Sequence, residues 1–241
     1  MKHIPNFITS LNLAAGFVAI ILASNNHQVT ASWVILVAMI FDFLDGFSAR
    51  LLKAYSEMGK ELDSLADVVS FGVAPAIIMY KLIAASVPDI DPSVSASGIS
   101  LAGLVIYLPV LMPVCAALPL AKFNVDSTQT TSFKGLPTPS NALGVISLVI
   151  AVNYSTLPLL KSFIESTGVL VVYTVLLSLL MVTNIPLLSL KVKNLKFKGN
   201  EGRYILLGLI LISVSIFGFA AAPLIIPFYI IASLLERIVR V

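Results

Sequence analysis

Long apolar stretches alternate with short polar connections along the whole chain. A helix needs about 20 mostly apolar residues to cross a bilayer. Because backbone groups in lipid must be satisfied within their own segment, each such stretch predicts a helix. The eight predicted helices are Ile4–Ala23, Ala31–Arg50, Leu62–Ala84, Ile99–Lys122, Asn141–Leu160, Val169–Leu190, Tyr204–Ala221 and Pro223–Val239.

Charged residues are scarce in this chain. Apolar residues make up 58% of its 241 residues and charged residues only 11%. A soluble domain usually carries about 25% charged residues, so this chain has too few to cover a water-facing surface. The composition therefore predicts an all-α integral membrane protein, a bundle of about eight transmembrane helices. The single cysteine, Cys115, excludes an internal disulfide.

The charges of the connections predict the orientation of the bundle. If the N-terminus is cytoplasmic, all of the 15 lysines and arginines fall on the cytoplasmic side except Lys81 and Lys161. This asymmetry matches the positive-inside rule, so we expect both termini in the cytoplasm. The basic cluster from Lys191 to Arg203 is either part of this topology signal or a contact for anionic lipid headgroups.

Four aspartates lie next to the predicted second connection. Asp42 and Asp45 are three positions apart at the end of the second helix, and Asp63 and Asp67 are four apart at the start of the third. Residues at these spacings share one helix face. The connection is short, so the two helices can be antiparallel neighbours. We therefore expect the four carboxylates to converge at the cytoplasmic edge of the membrane.

Carboxylates at a membrane edge are costly and usually functional. Four of them would repel each other unless cations lie among them, and oxygen ligands favour Mg²⁺ or Mn²⁺. Two such ions would suit a pyrophosphate substrate. Gly46, Ala49 and Gly59 leave the helix surfaces bare, so a nucleotide could approach the backbone. For a lone pair of aspartates a helix-capping role would be the simpler interpretation.

The segment Asp-x2-Asp-Gly-x2-Ala-Arg-x8-Gly-x3-Asp-x3-Asp, from Asp42 to Asp67, resembles the complete signature of the CDP-alcohol phosphotransferase family. The resemblance implies that an alcohol attacks the β-phosphoryl group of a CDP-linked donor and that CMP leaves. The matching positions imply that all four aspartates bind metal and that Asp67 is also the catalytic base. They also imply that Gly46, Ala49 and Gly59 line the nucleotide site. Asn6, Thr9 and Arg50 are assigned to donor binding as well.

Further segments are similar to the bacterial and archaeal phosphatidylserine synthases within that family. They are Ile4–Asn12, Ser70–Pro75, Ala121–Asn124 and Phe133–Pro139, so the resemblance covers about the first 145 residues. It implies CDP-diacylglycerol and L-serine as substrates. Pro119 departs from the subgroup pattern, because an arginine is expected there and its bidentate fork for a carboxylate is lost.

Some polar residues allow two interpretations. Asn6, Thr9 and Asn12 share one face of the first helix, where they either recognise the donor or hydrogen-bond to other helices. Lys122 and Lys134 either contact the acceptor or extend to the membrane interface. The residues assigned to acceptor binding are Lys122, Asn124 and Lys134.

The sequence also predicts the organisation and partners of the protein. Residues 1–200 form the catalytic membrane core of six helices with the active site at 42–67, and residues 201–241 form an additional helix pair. We expect a homodimer in the cytoplasmic membrane that contacts membrane lipids and no nucleic acid. The alternatives are another acceptor, glycerol 3-phosphate or inositol phosphate, or a non-enzymatic transporter or scaffold. A transporter would more typically show broken helices near the midplane.

Overall fold

The computed structural model of this chain describes residues 3–87, 101–125, 135–185, 187–188 and 200–239. Within these ranges every regular element is a helix, as the hydropathy pattern predicts. The helices are α1 (Ile4–Ser24), α2 (Gln28–Leu51), α3 (Glu57–Asp67), α4 (Ala74–Ser86), α5 (Leu101–Leu104), α6 (Leu111–Val125), α7 (Thr138–Tyr154), α8 (Pro158–Glu165), α9 (Thr167–Val182), α10 (Glu201–Phe217) and α11 (Ile225–Val239).

Five helical runs are long and apolar enough to cross a membrane, and a sixth is reached if the bent pair α8 and α9 counts as one span. The protein is therefore a membrane protein that is all-helical in its described ranges. Each of the eight predicted spans contains a described helix, but α7 is only 17 residues long and the run Glu201–Glu236 is a single continuous candidate. The predicted number of eight spans is thus not established by length and composition.

The C-terminal run folds back on itself. Gly218, with φ of +56°, ends α10, and a 3-10 turn over Gly218–Leu224 leads into α11. At the far end of the pair, a β-carbon on Gly202 would lie 3.1 Å from Cβ of Glu236. Helices α10 and α11 are therefore antiparallel arms of a hairpin.

Three predicted boundaries are wrong. The third predicted span was to begin at Leu62, but α3 begins at Glu57, directly after its cap Ser56. The fifth predicted span was to end at Leu160, but α7 ends at Tyr154 because an extended residue follows it and Pro158 starts a separate helix. The sixth was to extend from Val169 to Leu190, but α9 ends at Val182, and residues 183–185 are not helical. Helix α8 makes an angle of 83° with α9.

Small residues bring α1 and α2 together. The buried face of α1 carries Ala19 and Ala23, and the buried face of α2 carries Ala31 and Ala38. Helices in lipid associate through close van der Waals contact, which small residues allow. The two helices pack along their length, so the acidic end of α2 lies beside the start of α1.

A π-helical segment, Val68–Val73, joins α3 and α4 directly after Asp67. The residue four positions after Phe71 is Pro75, which has no N–H to donate to the Phe71 carbonyl in an α-helix. The side chain of Asn141 on α7 supplies a donor instead, with Nδ2 3.0 Å from that carbonyl oxygen. Ser70 in the same segment donates to the carbonyl oxygen of Asn12 on α1. Neighbouring helices therefore hold the π segment from two sides.

Helix α7 runs through the middle of the bundle, and most of its side chains are buried. At its end, the ring centroid of Tyr154 lies 6.4 Å from that of Trp33 and 5.1 Å from that of Phe219. Aromatic residues of this kind are typical of a membrane interface. The aspartates lie at the opposite ends of these helices, so the bundle has one aromatic end and one acidic end.

Candidate active site

Three of the four aspartates meet between α2 and α3. One carboxylate oxygen from each of Asp42, Asp63 and Asp67 lies within 4.8 Å of the other two. Asp63 and Asp67 are one turn apart on α3, and the short connection after α2 brings Asp42 against them. The predicted convergence of the two helix faces is confirmed for these three residues.

Asp67 is the most enclosed member of the group, at 8% exposed. Its Oδ2 accepts a hydrogen bond from the hydroxyl of Thr138 at 3.2 Å. Its Oδ1 is buried and has no hydrogen-bond partner among the described residues. Buried polar atoms in native proteins are nearly always satisfied, so this oxygen is suited to contact a ligand.

Asp45 lies outside that group of three, one turn further along α2 towards the acidic end. It is 5% exposed and lies close to the side chain of Thr9 on α1, whose hydroxyl donates to the carbonyl oxygen of Pro5 at 3.0 Å. Its Oδ2 is buried with no hydrogen-bond partner in the described part of the chain. Asp45 therefore has an oxygen of its own for a ligand, next to the predicted donor residue Thr9.

The predicted donor residues lie around this end of the site. A β-carbon on Gly59 would be 2.9 Å from Oδ1 of Asn6, so the structure brings these two residues together. Gly46 has an open face, where only Nη2 of Arg50 lies within 4 Å of a β-carbon position. Arg50 donates to the carbonyl oxygen of Gly46 at 2.8 Å, and Ala49 is half-buried beside them.

Asn12, one turn deeper than Thr9 on α1, is fully buried. Neither atom of its side-chain amide has a hydrogen-bond partner among the described residues. Only its backbone oxygen makes an interhelical hydrogen bond, to Ser70. The interpretation of its side chain as an interhelical bridge is therefore wrong in this structure.

The predicted acceptor residues are placed unevenly. Asn124, at the end of α6, donates through Nδ2 to Glu61 at 3.0 Å and to Ser64 at 2.9 Å, while its buried Oδ1 has no partner in the described ranges. Lys122 is exposed in the last turn of α6. Lys134 lies outside the described residues, as do residues 191–198 of the basic cluster.

The donor set of the site fits a hard divalent cation. Three carboxylates converge, Asp45 lies beside them, and buried oxygens of Asp45 and Asp67 lack hydrogen-bond partners within the described ranges. Mg²⁺ and Mn²⁺ prefer such oxygen ligands, and the charge of the carboxylates calls for a cation. Asp42, Asp63 and Asp67 are the residues that could hold it.

Comparison with known proteins decides which family this site represents. The sequence model of the CDP-alcohol phosphatidyltransferase family matches residues 2–187. The chain belongs to the CDP-alcohol phosphatidyltransferase family. The resemblance expected from the aspartate motif is thereby confirmed, and the acidic group between α2 and α3 lies within the matched region.

Relatives in this family carry closely similar names. A CDP-diacylglycerol–serine O-phosphatidyltransferase of Helicobacter pylori (strain J99) is 33% identical over 239 residues, which cover 97% of this chain and 90% of the relative. One of Mycobacterium leprae is 35% identical over 194 residues, 78% of this chain and 58% of that protein. An archaetidylserine synthase of Methanothermobacter thermautotrophicus is 32% identical over 156 residues, 64% of this chain and 60% of that protein.

Two residues of this phosphatidyltransferase site were missed from the sequence. Thr138 hydrogen-bonds to Asp67, and Asn141 holds the π segment that follows Asp67. Both lie in the first turn of α7: Thr138 belongs to the segment Phe133–Pro139 that resembles the subgroup, and Asn141 follows it by two residues. Their polarity at the start of an apolar helix was the available signal, but only the folded bundle shows which residues they contact.

Proposed function

We propose that this protein transfers the phosphatidyl group of CDP-diacylglycerol to L-serine, giving phosphatidylserine and CMP. The observation that carries the proposal is the meeting of Asp42, Asp63 and Asp67, with a buried oxygen on Asp67 that has no hydrogen-bond partner among the described residues. The names of the Helicobacter and Mycobacterium relatives support serine as the acceptor.

In the proposed reaction Asp67 is the catalytic base. It takes the hydroxyl proton of serine while the serine oxygen forms a bond to the β-phosphorus of the donor. The bond from the β-phosphorus to the bridging oxygen breaks, and that oxygen leaves as part of CMP. A positioned base of this kind accelerates a reaction by about 10²–10⁴-fold.

All four aspartates, including Asp67, are proposed to hold metal. Asp42, Asp45, Asp63 and Asp67 would bind Mg²⁺ or Mn²⁺, with two ions as the expected number. Bound there, the metal supplies neutralisation of the charge that develops on the leaving group. The carboxylates themselves are held by two helices that pack on the same neighbour, α1.

The donor nucleotide is proposed to bind at the acidic end of the bundle, beside the aspartates. Asn6 and Gly59 are neighbours there, and Thr9 lies beside Asp45. Gly46 and Ala49 leave room for the nucleotide. The guanidinium of Arg50 lies beside Gly46, where it is proposed to pair with a phosphate of the donor.

The acceptor is proposed to lie near the end of α6. The amide of Asn124 is oriented by Glu61 and Ser64, and its Oδ1 retains capacity to accept a hydrogen bond from the serine ammonium group. Lys122 and Lys134 are proposed to assist with the serine carboxylate. Position 119, within α6, carries a proline in place of the arginine expected from the subgroup, so no guanidinium from this position can bind the serine carboxylate.

We also propose the arrangement in the membrane. Eight crossings would place both termini and the aspartates on the cytoplasmic side of the cell membrane, in a homodimer. The charge asymmetry of the connections supports the cytoplasmic placement of both termini and of the aspartates, as does the antiparallel hairpin of α10 and α11. Residues 1–200 would then be the catalytic core and 201–241 an additional helix pair.

The proposed function is tested with purified protein and CDP-diacylglycerol in lipid vesicles. CMP release is measured with Mg²⁺ or Mn²⁺ and with L-serine, glycerol 3-phosphate or inositol phosphate at equal concentration. We expect serine to react fastest, and the Asp67→Asn variant serves as the control for contaminating activity. A faster reaction with either phosphorylated acceptor would contradict serine as the substrate, and absence of CMP release with all acceptors would contradict the enzymatic proposal.

A further inference from the structure

The contact between Thr138 and Asp67 orients the proposed base. Thr138 is the first residue of α7, and its hydroxyl donates to Oδ2 of Asp67, while Oδ1 has no hydrogen-bond partner in the described ranges. Threonine has few side-chain conformations, so its hydroxyl is a firm support. A donor on one oxygen restrains rotation of the carboxylate and leaves the other oxygen to face the reacting groups.

The segment before Thr138 is docked onto the end of α9. The backbone N–H of Gly135 donates to the carbonyl oxygen of Ile185 at 2.9 Å, and that of Leu136 donates to Leu180 at 2.8 Å. Gly135 has φ of +90°, and a β-carbon there would lie 2.8 Å from the carbonyl oxygen of Thr183. The position of Thr138 therefore depends on the chain that follows α9.

That chain is in turn held by α11. The N–H of Leu188 donates to Oγ of Ser233 at 3.0 Å, and its carbonyl oxygen accepts from the hydroxyl of Tyr229 at 2.8 Å. Both bonds are buried, and the two side chains lie one turn apart on the same face of α11. Buried backbone groups outside a helix must find partners in a membrane protein, so α11 supplies both for Leu188.

Leu188 and Ile185 are three residues apart, a chain distance of at most about 11 Å. We infer that the C-terminal hairpin positions Asp67, with Tyr229 and Ser233 acting through Leu188 and the Gly135–Thr138 segment. This inference rests on the proposed role of Asp67. It gives a function to α10 and α11, which lie beyond the residues matched by the family model.

A double-mutant cycle tests the inference. Tyr229→Phe removes one bond to Leu188, and Thr138→Val removes the support of Asp67 with little change of shape. We expect Thr138→Val to lower kcat about tenfold and Tyr229→Phe about threefold, with the KM for CDP-diacylglycerol unchanged in both. In the Thr138→Val background, Tyr229→Phe should have no further effect on kcat, because the hydrogen bond from Thr138 to Asp67, through which Tyr229 acts, is already absent. Tyr107→Phe, on an exposed tyrosine, is the matched control.

Two further measurements separate positioning from general stability. Thr138→Ser keeps the hydroxyl and should restore most of the lost kcat. Mn²⁺ affinity, measured by electron paramagnetic resonance without substrates, should fall in both Tyr229→Phe and Thr138→Val and remain normal in Tyr107→Phe. Ser233→Ala is the second variant if Tyr229→Phe fails to fold, and it should behave in the same way.

Multiplicative losses of kcat in the double variant would overturn the inference, as would a lower Tm of Tyr229→Phe with normal kcat and Mn²⁺ affinity. Failure of the proposed function is distinguishable, because it would appear as absence of CMP release with every acceptor, whereas near-normal turnover of Asp67→Asn would contradict only the role of Asp67 as the base. An unaffected Thr138→Val beside an inactive Asp67→Asn would overturn only the role of the hairpin.

Discussion

Gly59 on α3 and Asn6 on α1 are in such close contact that a β-carbon on the glycine would lie 2.9 Å from Oδ1 of the asparagine. The same β-carbon would lie 2.9 Å from Oγ of Ser56, the residue that caps α3. Both atoms are ends of side chains and can move. Gly59 therefore leaves space for the Asn6 amide at the acidic end, but folding does not require a glycine at this position.

Gly59→Ala should weaken donor binding and leave the fold intact. The added methyl group displaces the Asn6 amide, and loss of its contact raises the KM for CDP-diacylglycerol about tenfold, the effect of about 1.4 kcal/mol. The KM for serine and the Tm should be unchanged. Gly208→Ala, where a β-carbon meets nothing within 4 Å, is the control. An unchanged donor KM in Gly59→Ala would contradict the placement of the nucleotide beside Asn6.

Gly16→Ala should lower the Tm, whereas Gly59→Ala should leave it unchanged. A β-carbon at Gly16 would lie 2.7 Å from Cα of Ser70, which is backbone and cannot turn away. Separation of α1 from the π segment should cost about 1–3 kcal/mol and lower the Tm. A Tm equal to that of Gly208→Ala would show that this close approach does not determine stability.

Asn141→Leu should destabilise the helical run formed by α3, the π segment and α4. The Phe71 carbonyl loses the donor that replaces the missing N–H of Pro75, at a cost of about 1 kcal/mol. We expect a lower Tm, measured by thermal unfolding in detergent. Ser147→Ala on the same helix is the control, since its buried hydroxyl bonds to a carbonyl within α7 itself. Equal Tm values of the two variants would contradict the role assigned to Asn141.

The sequence predicts the acidic group well but not its supports. The spacing of the aspartates and the short connection after α2 determine which helix faces meet, and local geometry was sufficient to predict the meeting of Asp42, Asp63 and Asp67. Thr138 is 71 residues away from Asp67 in the chain, and no periodicity indicates that contact. The π segment was equally hidden, because its stability depends on Asn141 from another helix.

The positions of the helices were predictable from the sequence, but the residues at which they end were not. Apolar length predicted where helices occur, whereas the breaks near Tyr154 and Val182 depend on local backbone chemistry and on docking of the connection onto Gly135. The hairpin at Gly218 was anticipated as a helix pair, but its contact with Leu188 depends on tertiary structure. Hydropathy therefore specified the helices, and packing specified how the connections support the site.

Asn124→Ala should raise the KM for serine. The alanine removes the Oδ1 acceptor proposed to bind the ammonium group, and we expect about a tenfold increase with the KM for CDP-diacylglycerol unchanged. Ser64→Ala is the control, because it removes one of the two acceptors that orient the amide and retains Oδ1; its effect should be smaller. A normal serine KM with a lower Tm would show that Asn124 only docks α6 onto α3.

Asp42→Asn and Asp45→Asn should be distinguishable from each other. Asp42 belongs to the group of three, so its loss should weaken metal activation about 10- to 100-fold. Asp45 lies beside Thr9, so its loss should act more on the KM for the donor. Added metal should partly restore both, and the exposed Glu57→Gln should behave as the unmodified protein. Identical profiles of the two variants in a metal titration would contradict this division of roles.

The most direct measurement is the turnover of Asp67→Asn across a titration of Mg²⁺ or Mn²⁺, with CDP-diacylglycerol and L-serine saturating and CMP release recorded. The substitution keeps the shape of the side chain and removes the base and one negative charge. We predict a protein that inserts and binds donor but turns over at least about 10²-fold more slowly at every metal concentration. Recovery of near-normal turnover at high metal would contradict the account, because Asp67 would then act only as a ligand.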